Sequence, residues 1–373
     1  MRIAIDAKWY FTGPVSGRTV LHNLLPQLFK LYPEHHWIIF LNKKDKGKDF
    51  PFSGENITLE YVWAKNNMIS NIFILPYTQL KLKPDIIVFQ TFPAFRKNIP
   101  SIAIIYDVLF HDFSHFFTWK EKLYFFPLSW LAKKADRIIV TAKSVANDLT
   151  KHRYVHNMDR IDIIPLGVNE EFKPSDKLNS NLLKLVKEKF KLPDQFLLYV
   201  GRLNERKNIE TLLKTIPLLN DQNIKLVIVG EPDWKTPDLK KLLLNKKIKD
   251  RIIFTGSITN SELVAIYALS YIFCFPSFAE GFGLPPLEAM ASGVPVIVSN
   301  TTSLPEVCDD AAVYIDPTNP KSVANAINNL IENEALYIEK KKAGIARASQ
   351  FTWHKTAHKF MQSIIKTGEK KYL

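Results

Sequence analysis

The chain has 373 residues, 46% hydrophobic, 12% aromatic and 23% charged, which excludes a disordered polar chain and leads to an expectation of two domains of roughly 150 to 200 residues. Net charge is +13, yet the lysines are scattered, as in Lys184 to Lys191 and Lys340 to Lys342, with no arginine-rich tract; this speaks against a nucleic-acid partner and leaves either a face for anionic lipid headgroups or a solvated basic surface. Two cysteines, Cys274 and Cys308, argue for a reducing, cytoplasmic setting, and neither a signal-peptide pattern nor a run long enough to span a membrane is present.

Arg2 to Asp6 forms the first expected strand, followed by the loop Thr12-Gly13-Pro14-Val15-Ser16-Gly17-Arg18 and a helix marked by Val20, Leu21, Leu24, Leu25, Leu28 and Leu31, with Pro26 an irregularity. Gly13 and Gly17 allow this loop either to close over a diphosphate or to serve as a plain turn. Further strands are expected at Trp37 to Leu41, Thr58 to Val62, Ile86 to Phe89, Ile102 to Ile105, Arg137 to Thr141 and Ile161 to Ile164, with helices over Ile72 to Lys81 and Trp119 to Lys134 and an N-cap at Ser144. Tyr106-Asp107 ends one of these strands. The aromatic run from Phe110 to Phe117 that follows is either an acceptor groove or a local hydrophobic cluster, and His111, Asp112 and His115 lack a recognisable metal-ligand pattern.

The alternation restarts after the polar stretch Glu170 to Asn181. Strands are expected at Phe196 to Val200, Lys225 to Val229, Arg251 to Thr255, Ile272 to Phe275 and Val296 to Val298, with an edge strand at Ala312 to Ile315 and helices near Ile209 to Ile216, Leu239 to Lys246 and Ser261 to Leu269. Two C-terminal helices precede Phe351-Thr352-Trp353, which opens a last amphipathic helix.

The most informative stretch is Ser277-Phe278-Ala279-Glu280-Gly281-Phe282-Gly283-Leu284-Pro285-Pro286-Leu287-Glu288-Ala289-Met290. A buried strand empties into a glycine loop that opens a helix, the place where an open α/β sheet holds anions on backbone N–H groups. Glu280 and Glu288 would repel a bare phosphate but accept hydroxyl protons, so phosphate and hydroxyls together describe a sugar nucleotide.

This segment resembles, at nearly every position, the acidic donor-site motif of retaining glycosyltransferases of the GT-B fold, in the group 1 family that contains bacterial mannosyl- and glucosyltransferases of surface polysaccharide synthesis. The resemblance implies two doubly wound Rossmann-like domains facing across a cleft: residues 1–170 on the acceptor side, 171–350 binding the donor, and 351–368 a helix crossing back to the first. It implies that Arg202 and Lys207, in Gly201-Arg202-Leu203 and Arg206-Lys207-Asn208, hold the donor diphosphate, that Glu280 faces the sugar, that Glu288 meets the ribose, and that backbone groups of Gly281, Phe282, Gly283 and Leu284 line the donor. Glu306 supports the pocket or caps a helix.

Three departures stand out. Tyr106-Asp107 replaces the family's His-Asp; a protonated tyrosine donates a hydrogen bond but is a poor base, so positioning is expected of Tyr106, while Asp107 either accepts an acceptor proton or caps its loop. Asn169 replaces an Asp, and Ser270-Tyr271 an Ala-Asp. The resemblance implies front-face transfer in which the departing phosphate helps take the acceptor proton, with no cofactor beyond the nucleotide-sugar. GDP-mannose is the first expectation for the donor, because the region from Asn300 to Glu306 and Asp310 to Ala312 resembles mannosyltransferases of O-antigen assembly, with a UDP-sugar close behind. The expected acceptor is a glycan or lipid-linked saccharide at the cytoplasmic face of an inner membrane. A non-hydrolysing sugar-nucleotide epimerase and a non-catalytic sugar-nucleotide binder are the alternatives.

Overall fold

A parallel sheet hides both faces of its strands, so its strands are short, nearly uninterrupted apolar runs. The computed structural model, which describes residues 1–63, 65–95, 99–230 and 241–369, bears this out: every residue of Ile86–Gln90 and of Ile272–Phe275 is buried. The strands are β1 (Arg2–Asp6), β2 (His36–Asn42), β3 (Ile57–Val62), β4 (Ile86–Gln90), β5 (Ser101–Ile104), β6 (Arg137–Val140) and β7 (Ile161–Ile163), then β8 (Phe196–Val200), β9 (Lys225–Val229), β10 (Ile252–Gly256), β11 (Ile272–Phe275), β12 (Val296–Ser299) and β13 (Ala312–Ile315). They form two sheets, ordered β3-β2-β1-β4-β5-β6-β7 and β10-β9-β8-β11-β12-β13, and the paired strands run parallel.

The chain divides into two compact units, Met1–Gly167 with Thr352–Leu373, and Val168–Phe351. The first unit thus contains both ends of the chain. Its C-terminal helix, Trp353–Glu369, is fastened by Tyr32 to His358 (2.6 Å), by Ser363 Oγ donating to Asp162 (2.6 Å) and by Thr356 Oγ1 donating to the Pro165 carbonyl (2.8 Å). Gly167 is fixed by close approach, since a Cβ there would lie 2.2 Å from the Trp353 nitrogen.

Strand order reverses once in each sheet, between β1 and β4 and between β8 and β11. At such a switch point the two following connections leave in opposite directions and open a crevice at the carboxyl ends of the strands. On the other side of β8, Gly230 shows how closely the ends of β8 and β9 approach: with φ +147, a Cβ on it would sit 2.2 Å from the Gly201 carbonyl oxygen.

Several helix boundaries differ from expectation. The first helix runs Val15–Leu31, so Gly17 lies inside it and not in the preceding loop, and it continues through Pro26. Pro127 separates the expected Trp119 to Lys134 helix into Trp119–Phe125 and Leu128–Ala132. Ile72 to Lys81 is a wider π turn, Ser70–Ile74, leading into Leu75–Leu82. Ser144 is not an N-cap: its helix, Lys143–Lys151, starts after Ala142. The helix expected from Leu239 to Lys246 lies partly outside the described residues; a short helix, Lys246–Lys249, follows its cap Asn245.

Candidate active site

In the second unit the loop after β8 and the loop after β11 meet at the switch point. Asn208, held at φ +54, donates from its side-chain amide to the carbonyls of Pro276 (2.9 Å) and Pro317 (2.7 Å), while Asn204 Oδ1 accepts from the Lys207 N–H (3.1 Å). The Phe278 N–H and the Ser277 hydroxyl both donate to the Arg206 carbonyl, at 2.9 and 3.2 Å. These bonds fix the two loops as one piece.

They bring Lys207 onto Glu280. Lys207 Nζ lies 2.7 and 2.8 Å from the two carboxylate oxygens, and Arg206 approaches the same carboxylate at 3.5 Å while also donating to the Ala279 carbonyl. Lys207 Nζ additionally sits 4.9 Å from the centre of the Phe275 ring, a cation–π contact. Glu280 is 7% exposed. Burial pushes its pKa up, but the charges of Lys207 and Arg206 prevail and hold it below the ordinary carboxylate range. Its backbone is equally fixed: the Glu280 N–H donates to Thr302 Oγ1 (2.9 Å), and Ser303 Oγ donates to the carbonyls of Glu280 (2.9 Å) and Phe282 (2.7 Å).

Gly283 stands immediately before the helix Leu284–Ala291 with φ +118, a backbone conformation that favours glycine, and a Cβ there would crowd the Leu304 side chain at 2.9 Å. Pro285 and Pro286 have no N–H, so the helix start offers an anion fewer donors than an ordinary helix end. Glu288, half-buried on this helix, accepts from the Tyr267 hydroxyl (3.0 Å), and burial pushes its carboxyl up to about 7. Arg202 is exposed on the β8 loop, its carbonyl accepting from Tyr199 (3.0 Å).

The first unit has its own concavity at the β1–β4 switch point, a cavity of about 530 Å³ whose wall includes Lys8, Gly13, Thr91, Tyr106, Asp107 and Phe125. Beneath it lies a buried polar network. Lys8, 2% exposed, bonds Asp6 and Asn71 Oδ1 (2.6 Å); Asn71 Nδ2 donates to Asp6 (2.9 Å), and Tyr106 donates to Gln90 Oε1 at 2.8 Å. Burial pushes the Lys8 ammonium down and the Tyr106 phenol well above its ordinary value. Thr91 is held at φ +66, an uncommon strain for a β-branched residue.

The structure therefore joins Lys207 to Glu280, sets Arg202 on the same loop, and places Tyr106, Asp107 and Gly13 around one cavity. Asp107 also caps its loop, accepting from the Leu109 N–H (3.3 Å). Gly13 and Gly17 are both pressed against Trp9: a Cβ on either would come within 2.7 and 2.5 Å of its ring atoms. The Phe110 to Phe117 run is a local cluster at its best-defined ring, since Phe110 is buried and stacked on Phe125 (5.1 Å), and Asp112 pairs with Lys151 and His152. Among the described residues no group of three or more His, Cys, Asp or Glu is placed to hold a metal ion. Sequence reasoning missed Arg206 as a second cation on Glu280, Tyr267 as the partner of Glu288, and the Asp6–Lys8–Asn71 network. For Lys8, the signal was a charged pair flanking a strand end, Asp6-Ala7-Lys8.

Comparison with known proteins places the chain among glycosyltransferases. Residues 19–172 match the Glycosyltransferase Family 4 model, and residues 184–350 match the model of glycosyl transferases group 1. The chain is 33% identical over 231 residues to the serotype-specific mannosyltransferase WbdA of Escherichia coli, a stretch that is 61% of this chain and 28% of that protein. It is 30% identical over 254 residues to the Escherichia coli O-antigen chain mannosyltransferase B, covering 65% of this chain and 66% of the relative. The chain therefore spans well under half of the first relative and about two thirds of the second. The solved structure of sucrose-phosphate synthase from Thermosynechococcus elongatus shares the fold, with a TM-score of 0.76 over 98% of each chain at 19% identity. With its two units matched by these two glycosyltransferase models and its fold shared at full length, the chain belongs to the group 1 glycosyltransferases of GT-B fold, related to the bacterial O-antigen mannosyltransferases.

Proposed function

We propose that the protein transfers mannose from GDP-mannose, with retention of anomeric configuration, to a lipid-linked or surface polysaccharide acceptor at the cytoplasmic face of a membrane. The observation that carries this is the cluster of Lys207, Arg206 and Glu280 at the second switch point. Two cations against one carboxylate leave a net positive charge, and exposed Arg202 adds to it. A nucleoside diphosphate needs such a field twice, on binding and again as charge builds on the leaving phosphate.

In this reading Lys207 and Arg202 hold the diphosphate, and Glu280, locked by Lys207 and Ser303, presents a carboxylate and backbone groups to the hexose. Gly281, Phe282, Gly283 and Leu284 line the donor, and Glu288 accepts a ribose hydroxyl. The first unit takes the acceptor in the cavity beside Tyr106 and Asp107. Tyr106, protonated at all working pH values, donates hydrogen bonds and positions; the departing phosphate takes the acceptor proton. Mannose is favoured because the relatives at 33% identity, and the O-antigen chain mannosyltransferase B at 30%, carry mannosyltransferase in their names, although a D-inositol 3-phosphate glycosyltransferase of Mycobacteroides abscessus is also 30% identical.

The test is a screen of binding and slow hydrolysis across GDP- and UDP-sugars, followed by determination of the product anomer. Tightest binding of GDP-mannose with a retained anomer is expected. Preference for a UDP-sugar would replace the donor, and an inverted product would overturn the mechanism.

A further inference from the structure

Trp119, Leu123, Phe126 and Trp130 are 69, 64, 78 and 47% exposed. Their spacing of four, three and four residues puts them on one side of the helical stretch formed by Trp119–Phe125 and Leu128–Ala132. A helix lying on its own domain normally turns such a stripe inward. Here other residues face the domain: Phe125 stacks near Phe92 and Phe110, and Tyr124 packs edge-on against Phe92 (5.1 Å). A second stripe repeats the pattern next to it. Ile69, Phe73, Tyr77 and Leu80, spaced four, four and three, are all exposed, and Asn67 lines the same cavity as Tyr124, so the two segments adjoin.

The charges around these stripes are of one sign. Residues 118–134 contain four lysines and a single acid, Glu121, which is engaged in capping Thr118; residues 67–83 contain two lysines and no acid. Lys134 lies 5.5 Å from the Trp130 ring centre and Lys120 lies 5.7 Å from that of Trp119, so cations and aromatic rings share one surface.

We infer that this face of the first unit docks on a lipid bilayer carrying anionic headgroups, its aromatic and leucine side chains entering the interface and its lysines meeting the phosphates. A second copy of the chain fits less well, because a two-fold contact through the stripes would set the lysines against their own images. Tyr124 and Phe125 also line the cavity from the domain side of the same helix, which brings a membrane-borne acceptor close to that cavity. The inference draws its purpose from the proposed lipid-linked acceptor, but vesicle binding needs neither donor nor acceptor, so the two fail separately.

The experiment is flotation of the purified chain with phosphatidylcholine vesicles, with and without phosphatidylglycerol. Binding is expected only when phosphatidylglycerol is present, and it should weaken with salt. Leu123→Glu with Phe126→Glu should reduce the bound fraction about tenfold or more, and neutralising Lys120, Lys122, Lys133 and Lys134 to Gln should remove the salt-sensitive part, both variants keeping wild-type melting temperature and nucleotide binding. The lysine variant, altered only at exposed positions, keeps the test decisive should the glutamate pair misfold. Failure of the wild type to float on anionic vesicles, or unchanged flotation of both folded variants, overturns the inference. So does a dimer in sedimentation velocity that the Leu123→Glu and Phe126→Glu changes abolish, since that would assign the stripe to a second copy.

Discussion

Lys207 Nζ is shared between both carboxylate oxygens of Glu280, at 2.7 and 2.8 Å, so the two residues act as one charged unit. Sequence reasoning gave them separate partners, diphosphate for Lys207 and hexose for Glu280. The contact couples those roles. Lys207→Ala leaves a buried carboxylate with only Arg206 at 3.5 Å and should destabilise the protein by about 2 to 4 kcal/mol. The double change Lys207→Ala with Glu280→Ala should cost less than the sum of the single changes by roughly 1 to 3 kcal/mol in urea unfolding. Additive effects would mean that the pair contributes nothing to the folded state.

Glu280 and Glu288 should respond to pH with opposite sign. Burial opposes ionisation of Glu280, but Lys207 and Arg206 outweigh it and hold the folded-state pKa below the unfolded value. Its contribution is therefore present above the ordinary carboxylate pKa and is lost as pH falls through the folded value. Glu288 is pushed up to about 7, so the folded protein keeps a proton that the unfolded chain releases; its contribution is complete below the ordinary value and is lost as pH rises through about 7. Glu288→Gln should then unfold later than wild type at pH 8, by roughly 1 to 3 kcal/mol, with the difference vanishing near pH 4. If Glu288 accepts the ribose hydroxyl, GDP affinity of the wild type should also rise through pH 7 while that of the variant stays flat.

Tyr106 donates to Gln90 Oε1 at 2.8 Å, and burial keeps its hydroxyl protonated. Tyr106→Phe should retain transfer with a several-fold loss in kcat and no change in the shape of the pH–rate profile. A proton-transfer role would instead cost about 10²-fold or more and remove one limb of that profile. Single-turnover kinetics with donor binding measured separately distinguishes the two.

What was legible in the sequence follows from which forces act locally. Strands such as Ile86 to Phe89 and Ile272 to Phe275 announce themselves because both faces must be apolar, and Gly283 marks a turn whose φ of +118 strongly favours glycine. The Glu280 loop was readable as a candidate site because strand, glycine and helix start fall within a few residues. Arg206 was not, since nothing in Glu205-Arg206-Lys207 says which cation faces a carboxylate 73 or 74 positions away; only the paired loops decide it. Asn71, 65 residues from Asp6, was equally invisible, because its burial depends on packing across the sheet end. The helix breaks failed locally as well: Pro26 is carried inside its helix whereas Pro127 separates two, and propensity alone treats both alike.

Thr91 tests whether strain beside the first-unit cavity serves function. It sits at φ +66 directly after β4, pinned by its own N–H donating to the Ile104 carbonyl (2.9 Å) and by the Phe92 N–H donating back to the Gln90 carbonyl (2.9 Å). A β-branched residue held in this region costs on the order of 1 to 3 kcal/mol, whereas asparagine enters it readily. Thr91→Asn should therefore stabilise the protein by about 1 kcal/mol, raising Tm by roughly 2 °C for a chain of this size, while slowing transfer, because Thr91 forms part of the wall beside Tyr106 and Asp107. Thermal unfolding and acceptor KM measured on the same variant separate the two effects. A gain in stability with full activity would make the strain incidental, and a loss of stability would mean that the threonine side chain contributes more to the folded state than its backbone conformation costs.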